Sequence, residues 1–333
     1  MKKYSLALLT SILLSTLTAC GDSNLSLNEQ EFSSELRALN SALYRQSDLK
    51  INELPFTEAY LERRHSILSN KLLSSNVAIH SELDYLRIQQ RYPERYLPWP
   101  GNVPVITYIQ EKVSTEVVDK WFLFVKSKLV EASESNIRLN RLEHQGLLEQ
   151  LTSADIALQS RDDLISYLNS YRPRAMLGLH QLPNGKEWYQ SKLNFYGSIK
   201  TSPNKVLANL TKLTVHDTNT VPPVMPNLHR PYILELLPDS CKKLTGLNWR
   251  DGFVNLPASV AKCKQVRKQH KMLLLTIMEV DLGLHYQGWS QQQAFVVLNS
   301  RLALNEQQAQ QLIANIVYFP ATIFAAYPYF LQP

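Results

Sequence analysis

The sequence predicts an all-α protein, an irregular multi-helix bundle. Three observations carry this. Apolar residues recur at steps of three and four along most of the 333 residues, which is the helical period. Glycine is scarce, 10 in the whole chain, while Leu, Ala, Gln, Glu and Lys fill long stretches. The breaks in the period fall in two proline-dense stretches, and no tandem repeat is evident. The pattern suits packed helices rather than a coiled coil.

Taken in order, MKKYSLALLTSILLSTLTAC opens with Lys2 and Lys3, followed by an apolar run from Leu6 to Leu17. A bilayer span needs about 20 apolar residues, so this run is short for one and suits a secretory signal. It closes Leu17-Thr18-Ala19-Cys20, which resembles the lipobox of bacterial lipoproteins. That resemblance implies a signal peptide over 1–19, an acylated Cys20 as the mature N-terminus, and a tether over 20–30. Acyl chains would supply the membrane affinity, with the lipid bilayer as partner. Asp22 stands one place beyond the position that signals inner-membrane retention. The expected location is therefore the periplasmic side of the outer membrane, with the inner membrane as the alternative.

The helical segments follow. FSSELRALNSALYRQ puts Phe32, Leu36, Leu39 and Leu43 on one face. FTEAYLERRHSILSNKLL, entered through Pro55, does the same with Tyr60, Leu61, Ile67, Leu68 and Leu72. AIHSELDYLRIQQRY adds Ile79, Leu83 and Leu86. YPERYLPWPGNVPV, 92–105, holds four prolines and a glycine and reads as an extended connection. The segment 114–151 opens at Ser114 or Thr115, both good N-caps, and runs through Trp121, Phe122, Val125 and Leu129 to a second run, Ile137 to Leu151. SADIALQSRDDLISYLNSY is the next helix, with Ser153 as its expected cap.

In LGLHQLPNGKEWYQSKLNFYGSIKTSP, 177–203, Pro183-Asn184-Gly185 is a turn signal before a helix that carries Trp188, Tyr189, Leu193 and Tyr196 at helical spacing. Residues 215–252 hold five prolines and little periodicity, a connection of uncommon length for a packed domain. Helices are then expected at about 256–281, 290–303 and 305–318, before the apolar tail FPATIFAAYPYF. The N-terminal helical part, 31–214, and the C-terminal part, 253–333, are expected to pack as one domain.

The formal net charge of +6 includes Lys2 and Lys3, so the rest of the chain carries +4. The other basic residues are scattered, apart from KCKQVRKQHK at 262–271, which at helical spacing reads as a solvated face. No nucleic-acid partner is expected. If Cys20 is lipidated, Cys241 and Cys263 are left in an oxidising compartment, where disulfides persist. A bridge between them would close a loop of about 22 residues, stabilising by roughly 3 kcal/mol in the chain-entropy picture. Two buried free thiols are the alternative.

VDLGLHYQGWS, 280–290, gathers Asp281, His285, Tyr286 and Trp289 between glycines. With His180, Trp188 and Tyr189 these residues are the candidates for a cleft. Several segments resemble, in conserved order, blocks of the bacterial domain-of-unknown-function family 885. They are GLHQLPNGKEWYQSKLNFY, NWRDGFVNLPASV, VDLGLHYQGWSQQQAF and IANIVYFPATIFAAY, with RYPERYLPWPGNVP at a matching proline-containing connection. The Asp-Leu-Gly-Leu-His-x-x-Gly-Trp block is the most specific. The resemblance implies a gluzincin-like zinc-peptidase ancestry. Such a site uses His and Glu ligands with an open position for water, and a Glu beside the first His as base.

That metal motif is missing. None of His65, His80, His144, His180, His216, His229, His270 and His285 is followed by Glu, and the closest pair, His216 and His229, is 13 apart. Asn140-Arg141-Leu142-Glu143-His144 is one substitution from a His-x-x-Glu-His pattern and reads as chance on a polar helix. Where the family carries its metal helix, this chain has the Pro-rich stretch. No G-x-S-x-G elbow is present.

The expectation is a shortened, non-catalytic, peptidase-like lipoprotein without a cofactor, binding a peptide or an envelope protein. The alternative is a metal-dependent hydrolase whose zinc is held by distant residues such as His180, His216, His229, Glu279 and His285. For 280–290 a structural reading stands beside the ligand reading. In it Gly283 and Gly288 bound a tight helix-turn-helix, Asp281 anchors the turn, Trp289 packs beneath it and Ser290 caps the next helix.

Overall fold

In the computed structural model, residues 26–39, 57–75, 77–92, 114–197, 199–214 and 270–329 are described, with short pieces at 226, 228, 232–233, 243–244 and 254–255. The signal peptide, Cys20, Cys241, Cys263, the connection at 93–105, the first part of the helix expected at 256–281 and most of 215–252 lie outside the described residues.

The all-α architecture of the sequence is what forms. Strand β1 (Ser26–Asn28) leads into α1 (Glu29–Leu39), whose Phe32, Leu36 and Leu39 are buried as the period requires. They pack on α2 (Glu58–Ser69), which turns Tyr60, Leu61, Ile67 and Leu68 inward. Thr57 caps α2, its Oγ1 accepting from Tyr60 N–H at 3.2 Å. The helix ends sooner than its apolar pattern suggests. Lys71–Leu73 is a strand, β2, paired in parallel with β1 in the register Ser26↔Lys71, Leu27↔Leu72, Asn28↔Leu73. Leu72 still reaches the core, because alternate strand residues face opposite sides. Helix α3 (Val77–Arg91) returns against α2. The buried Arg64 clamps the two, donating to Leu86 O and to the side-chain oxygens of Gln89 and Gln90.

Helices α4 (Thr115–Glu134), α5 (Arg141–Ser153) and α6 (Gln159–Ser170) enclose a core cluster of their own, built on Trp121, Phe122, Leu129, Leu147, Leu151, Leu164 and Leu168. Two expectations fail here. Ser153 does not cap α6; it closes the last turn of α5, its Oγ donating to Gln150 O at 3.1 Å. Arg161 donates to the Leu151 and Thr152 carbonyls at that end, and to Ile156 O in the connection that follows. Glu143 is also no member of a polar face. It is buried at N3 of α5 in a capping box, where Asn140 Oδ1 accepts from Glu143 N–H and Glu143 Oε2 accepts from Asn140 N–H at 2.7 Å.

The remaining helices are α7 (Gly185–Gly197), α8 (Pro203–Thr214), α9 (Lys271–Leu282), α10 (Gln291–Leu302) and α11 (Glu306–Tyr318), closed by a 3-10 turn at Thr322–Tyr329. From Leu273 to Leu282 every residue of α9 is buried, Thr276, Glu279 and Asp281 included, so this mostly apolar helix is covered on all sides and forms the centre of the molecule. It packs on α8, α10 and the C-terminal 3-10 turn. Phe32, Leu86 and Tyr189 from the N-terminal helical part share one core with Leu274, Met278 and Phe324 from the C-terminal part. Ser290 and Asn305 start α10 and α11, each with a capping box. Within the Pro-rich stretch, Tyr232 and Ile233 are buried, Tyr232 N–H donates to Asn315 Oδ1 at 3.1 Å, and a two-residue strand (β3, Lys243–Leu244) pairs antiparallel with β4 (Val254–Asn255). Among the described residues, no helix is long and apolar enough to cross a membrane.

Candidate functional site

The two segments marked by the sequence, 177–197 and 280–290, lie against each other. Their approach is so close that side chains are excluded at the crossing. A Cβ on Gly178 would fall 1.7 Å from Leu284 O. A Cβ on Gly185 would fall 1.8 Å from Leu179 O, which explains a glycine at the first residue of α7. Leu179–Gln181 makes a single 3-10 turn, Asn184 takes φ 53°, and α7 then carries Trp188 and Tyr189 into the core.

Asp281, on the last turn of α9, is 1 % exposed. Its Oδ1 accepts from the Tyr189 hydroxyl at 2.5 Å, and both carboxylate oxygens accept from Ala321 N–H at 3.2 and 3.0 Å. It therefore anchors the C-terminal segment rather than the turn after α9. Burial is the main influence on its acidity and raises the carboxyl to about 7. The Tyr189 hydroxyl, the Ala321 amide and the Lys192 ammonium all pull the other way. Burial and the adjacent carboxylate push the Tyr189 phenol well above its ordinary value.

His285 is wholly buried and uses both ring nitrogens on backbone. Leu179 N–H donates to Nδ1 at 3.3 Å, and Nε2–H donates to Ile316 O at 3.2 Å. These bonds fix a neutral imidazole with its proton on Nε2. Burial lowers its pKa to about 3. The ring stacks on Tyr189, centroids 5.6 Å apart. His180 is half-buried; its Nδ1–H donates to Leu284 O at 3.2 Å, and the ring lies over Gly288. Burial lowers its pKa as well.

Helix α9 continues into a π turn at Gly283–Gln287, ended by Gly288 at φ 81°, a left-handed conformation that favours glycine. Gly283 is needed for a different reason. Its backbone is right-handed helical, and the Trp289 ring presses on it so closely that a Cβ would meet ring carbons at 2.2 Å. Trp289 N–H donates to Gly283 O at 2.8 Å, and Ser290 Oγ accepts from Gln293 N–H. Tyr286 is half-buried, with the Lys186 ammonium 5.1 Å from its ring centroid.

Sequence reasoning missed several polar residues around these. Lys192 is buried on the same stripe of α7, its ammonium donating to Tyr85 Oη at 3.2 Å and lying 5.8 Å from the Trp188 ring centroid. A charged residue three positions after Tyr189, inside an apolar stripe, was the available signal. Arg174 gave none. It threads the 174–178 loop, donating to the carbonyls of Arg138, Met176, Leu177 and Gly178, and pairs with the buried Glu143 at 3.7 Å. Burial raises the Glu143 carboxyl, and Arg174 opposes the rise. Glu279 makes a bidentate pair with Arg301 across α9 and α10.

His180, Trp188, Tyr189, Asp281, His285, Tyr286 and Trp289 thus come together as interlocked side chains. Asp281 and His285 spend their polar atoms on protein partners. Among the described residues, no three of His, Cys, Asp and Glu gather as metal ligands would. His216 and His229 lie outside the described residues.

No family model matches the chain, so the likeness to family 885 finds no support there. No curated protein matches it either. Among solved structures, it is similar to a chain described as "the putative lipoprotein from Colwellia psychrerythraea", with a TM-score of 0.50 and 12% identity over 91% of both chains. At that identity the likeness shows a shared fold.

Proposed function

We propose that this chain is a lipid-anchored envelope protein of bacteria whose helical body is a binding or structural unit and does no catalysis. The observation that carries the second half is the double backbone bond of His285. The residue best suited to hold a metal or move a proton has both nitrogens committed inside the core. Asp281 is likewise committed to Tyr189 and Ala321. The first half rests on Lys2-Lys3, the short apolar run and Leu17-Thr18-Ala19-Cys20. The similar fold in a chain described as a lipoprotein agrees with it. The same segment order that resembles family 885 supports descent from a zinc peptidase that has lost its metal helix. A peptide or another envelope protein would be the ligand, and the periplasmic face of the outer membrane the location.

Cys20→Ser tests the anchor. The wild-type chain should incorporate radiolabelled palmitate and sediment with membranes, and the variant should do neither. A variant that still sediments would overturn the reading.

A further inference from the structure

The position of β1 in the chain has a consequence for orientation. Cys20 and Ser26 are six residues apart, and an extended chain spans at most about 3.3–3.6 Å per residue, or about 20 Å here. A domain of roughly 300 residues has a radius of gyration near 19 Å and is about 50 Å across. A tether much shorter than the body permits one end of it to face the bilayer. That end is fixed by β1, which is locked to β2 residue by residue.

The surface beside β1 is unusual. Strand alternation turns Leu72 inward and Lys71 and Leu73 outward. Leu73 is 52 % exposed, and Val77, at the start of α3, is 72 % exposed. Leu73 stands directly opposite Asn28, about 7 Å along the strand from Ser26. Lys71 therefore faces out opposite Ser26, where the tether enters, Leu73 faces out two residues further along the strand, and exposed Val77 follows four residues later. The acidic neighbours are occupied locally: Glu31 Oε2 accepts from Asn28 N–H at 2.9 Å, and Glu29 accepts from the Ser74 hydroxyl.

We propose that the β2 edge with Leu73 and Val77 is the face that rests on the bilayer. Leu73 and Val77 enter the boundary between headgroups and acyl chains, and Lys71 meets phospholipid phosphates. The inference rests on acylation of Cys20 as proposed above. Its occupant is the membrane that holds the anchor, rather than a protein.

The test uses the full acylated protein in vesicles of phosphatidylethanolamine and radiolabelled phosphatidylglycerol. A photo-reactive benzoylphenylalanine is placed at Leu73, at Val77, or at one of two comparably exposed controls, Leu123 on α4 and Val296 on α10. All four positions are exposed, so the fold tolerates the probe. Palmitate content is measured first. With acylation present, several-fold more labelled lipid should cross-link at 73 and 77 than at 123 and 296. Equal lipid adduct at all four positions overturns the inference and leaves the anchor standing. A protein adduct at 73 or 77 overturns it in favour of a protein partner. A chain without acyl groups overturns the anchor, and this face with it.

Discussion

The Tyr189 hydroxyl donates to Asp281 Oδ1 at 2.5 Å, joining α7 to α9 where neither group reaches water. The folded Asp281 loses its proton near pH 7, against an ordinary 3.8. Between those values the folded chain holds a proton that the unfolded chain has lost. Stability contributed by this site is therefore complete below about pH 4, falls as pH rises to about 7, and then levels. The difference is on the order of 4 kcal/mol. Asp281→Asn should remove that slope. Urea unfolding of both proteins at pH 5 and pH 8 checks it. Tyr189→Phe removes a donor that holds the carboxyl down, so the same slope should extend to higher pH.

His285 has the opposite sign. Its folded pKa of about 3 lies below the ordinary 6.5, so the unfolded chain takes up the proton first. Stability from this site is present above about pH 6.5 and is lost as pH falls towards 3. His285→Ala should abolish that acid limb, leaving Leu179 N–H and Ile316 O unpaired beside a cavity, at a cost of roughly 3–5 kcal/mol. Denaturant midpoints from pH 4 to 7 measure both effects. Metal analysis of the purified wild-type chain should find under about a tenth of an equivalent of zinc, against the one expected of a zinc enzyme.

Gly283→Ala should destabilise the fold through Trp289. The added carbon would meet the Trp289 ring at 2.2 Å. Overpacking of this kind costs about 1–3 kcal/mol. The near-ultraviolet circular dichroism of Trp289 should change along with the melting temperature. A Gly283→Ala protein with wild-type stability and spectrum would refute the contact.

Arg174→Met should cost about 3–5 kcal/mol, because it strands a buried Glu143 and removes a donor from Arg138 O and from three carbonyls of the 174–178 loop. Adding Glu143→Gln should recover part of the loss. Thermal melts of the single and double variants decide it; no recovery would mean that the ion pair is energetically idle.

Most helices were legible because their apolar residues hold the 3.6-residue period over three or more turns. Strand β2 was not, since three residues carry too short a pattern to oppose the helix before it. The helix start at Asn140 was written locally, as Asn-x-x-Glu, and was passed over as a failed metal motif. The Ser290 cap and the Trp289 packing were readable from neighbours in sequence. The partners of Asp281 and His285 were not. Ala321 is 40 residues from Asp281, and Leu179 is 106 residues from His285. No local spacing encodes a bond of that range.

The bond between Leu179 and His285 also bears on how the protein acquires its fold. Closing a loop of that length costs on the order of 4 kcal/mol of chain entropy before any contact rewards it. Helix α7 must therefore wait for α9, and Asp281 must wait in turn for Ala321, near the far end of the chain. A chain emerging from its N-terminus can form helices early but cannot close its centre until almost all of it has been released. That late closure leaves the core open until the segment around Ala321 can dock on α9.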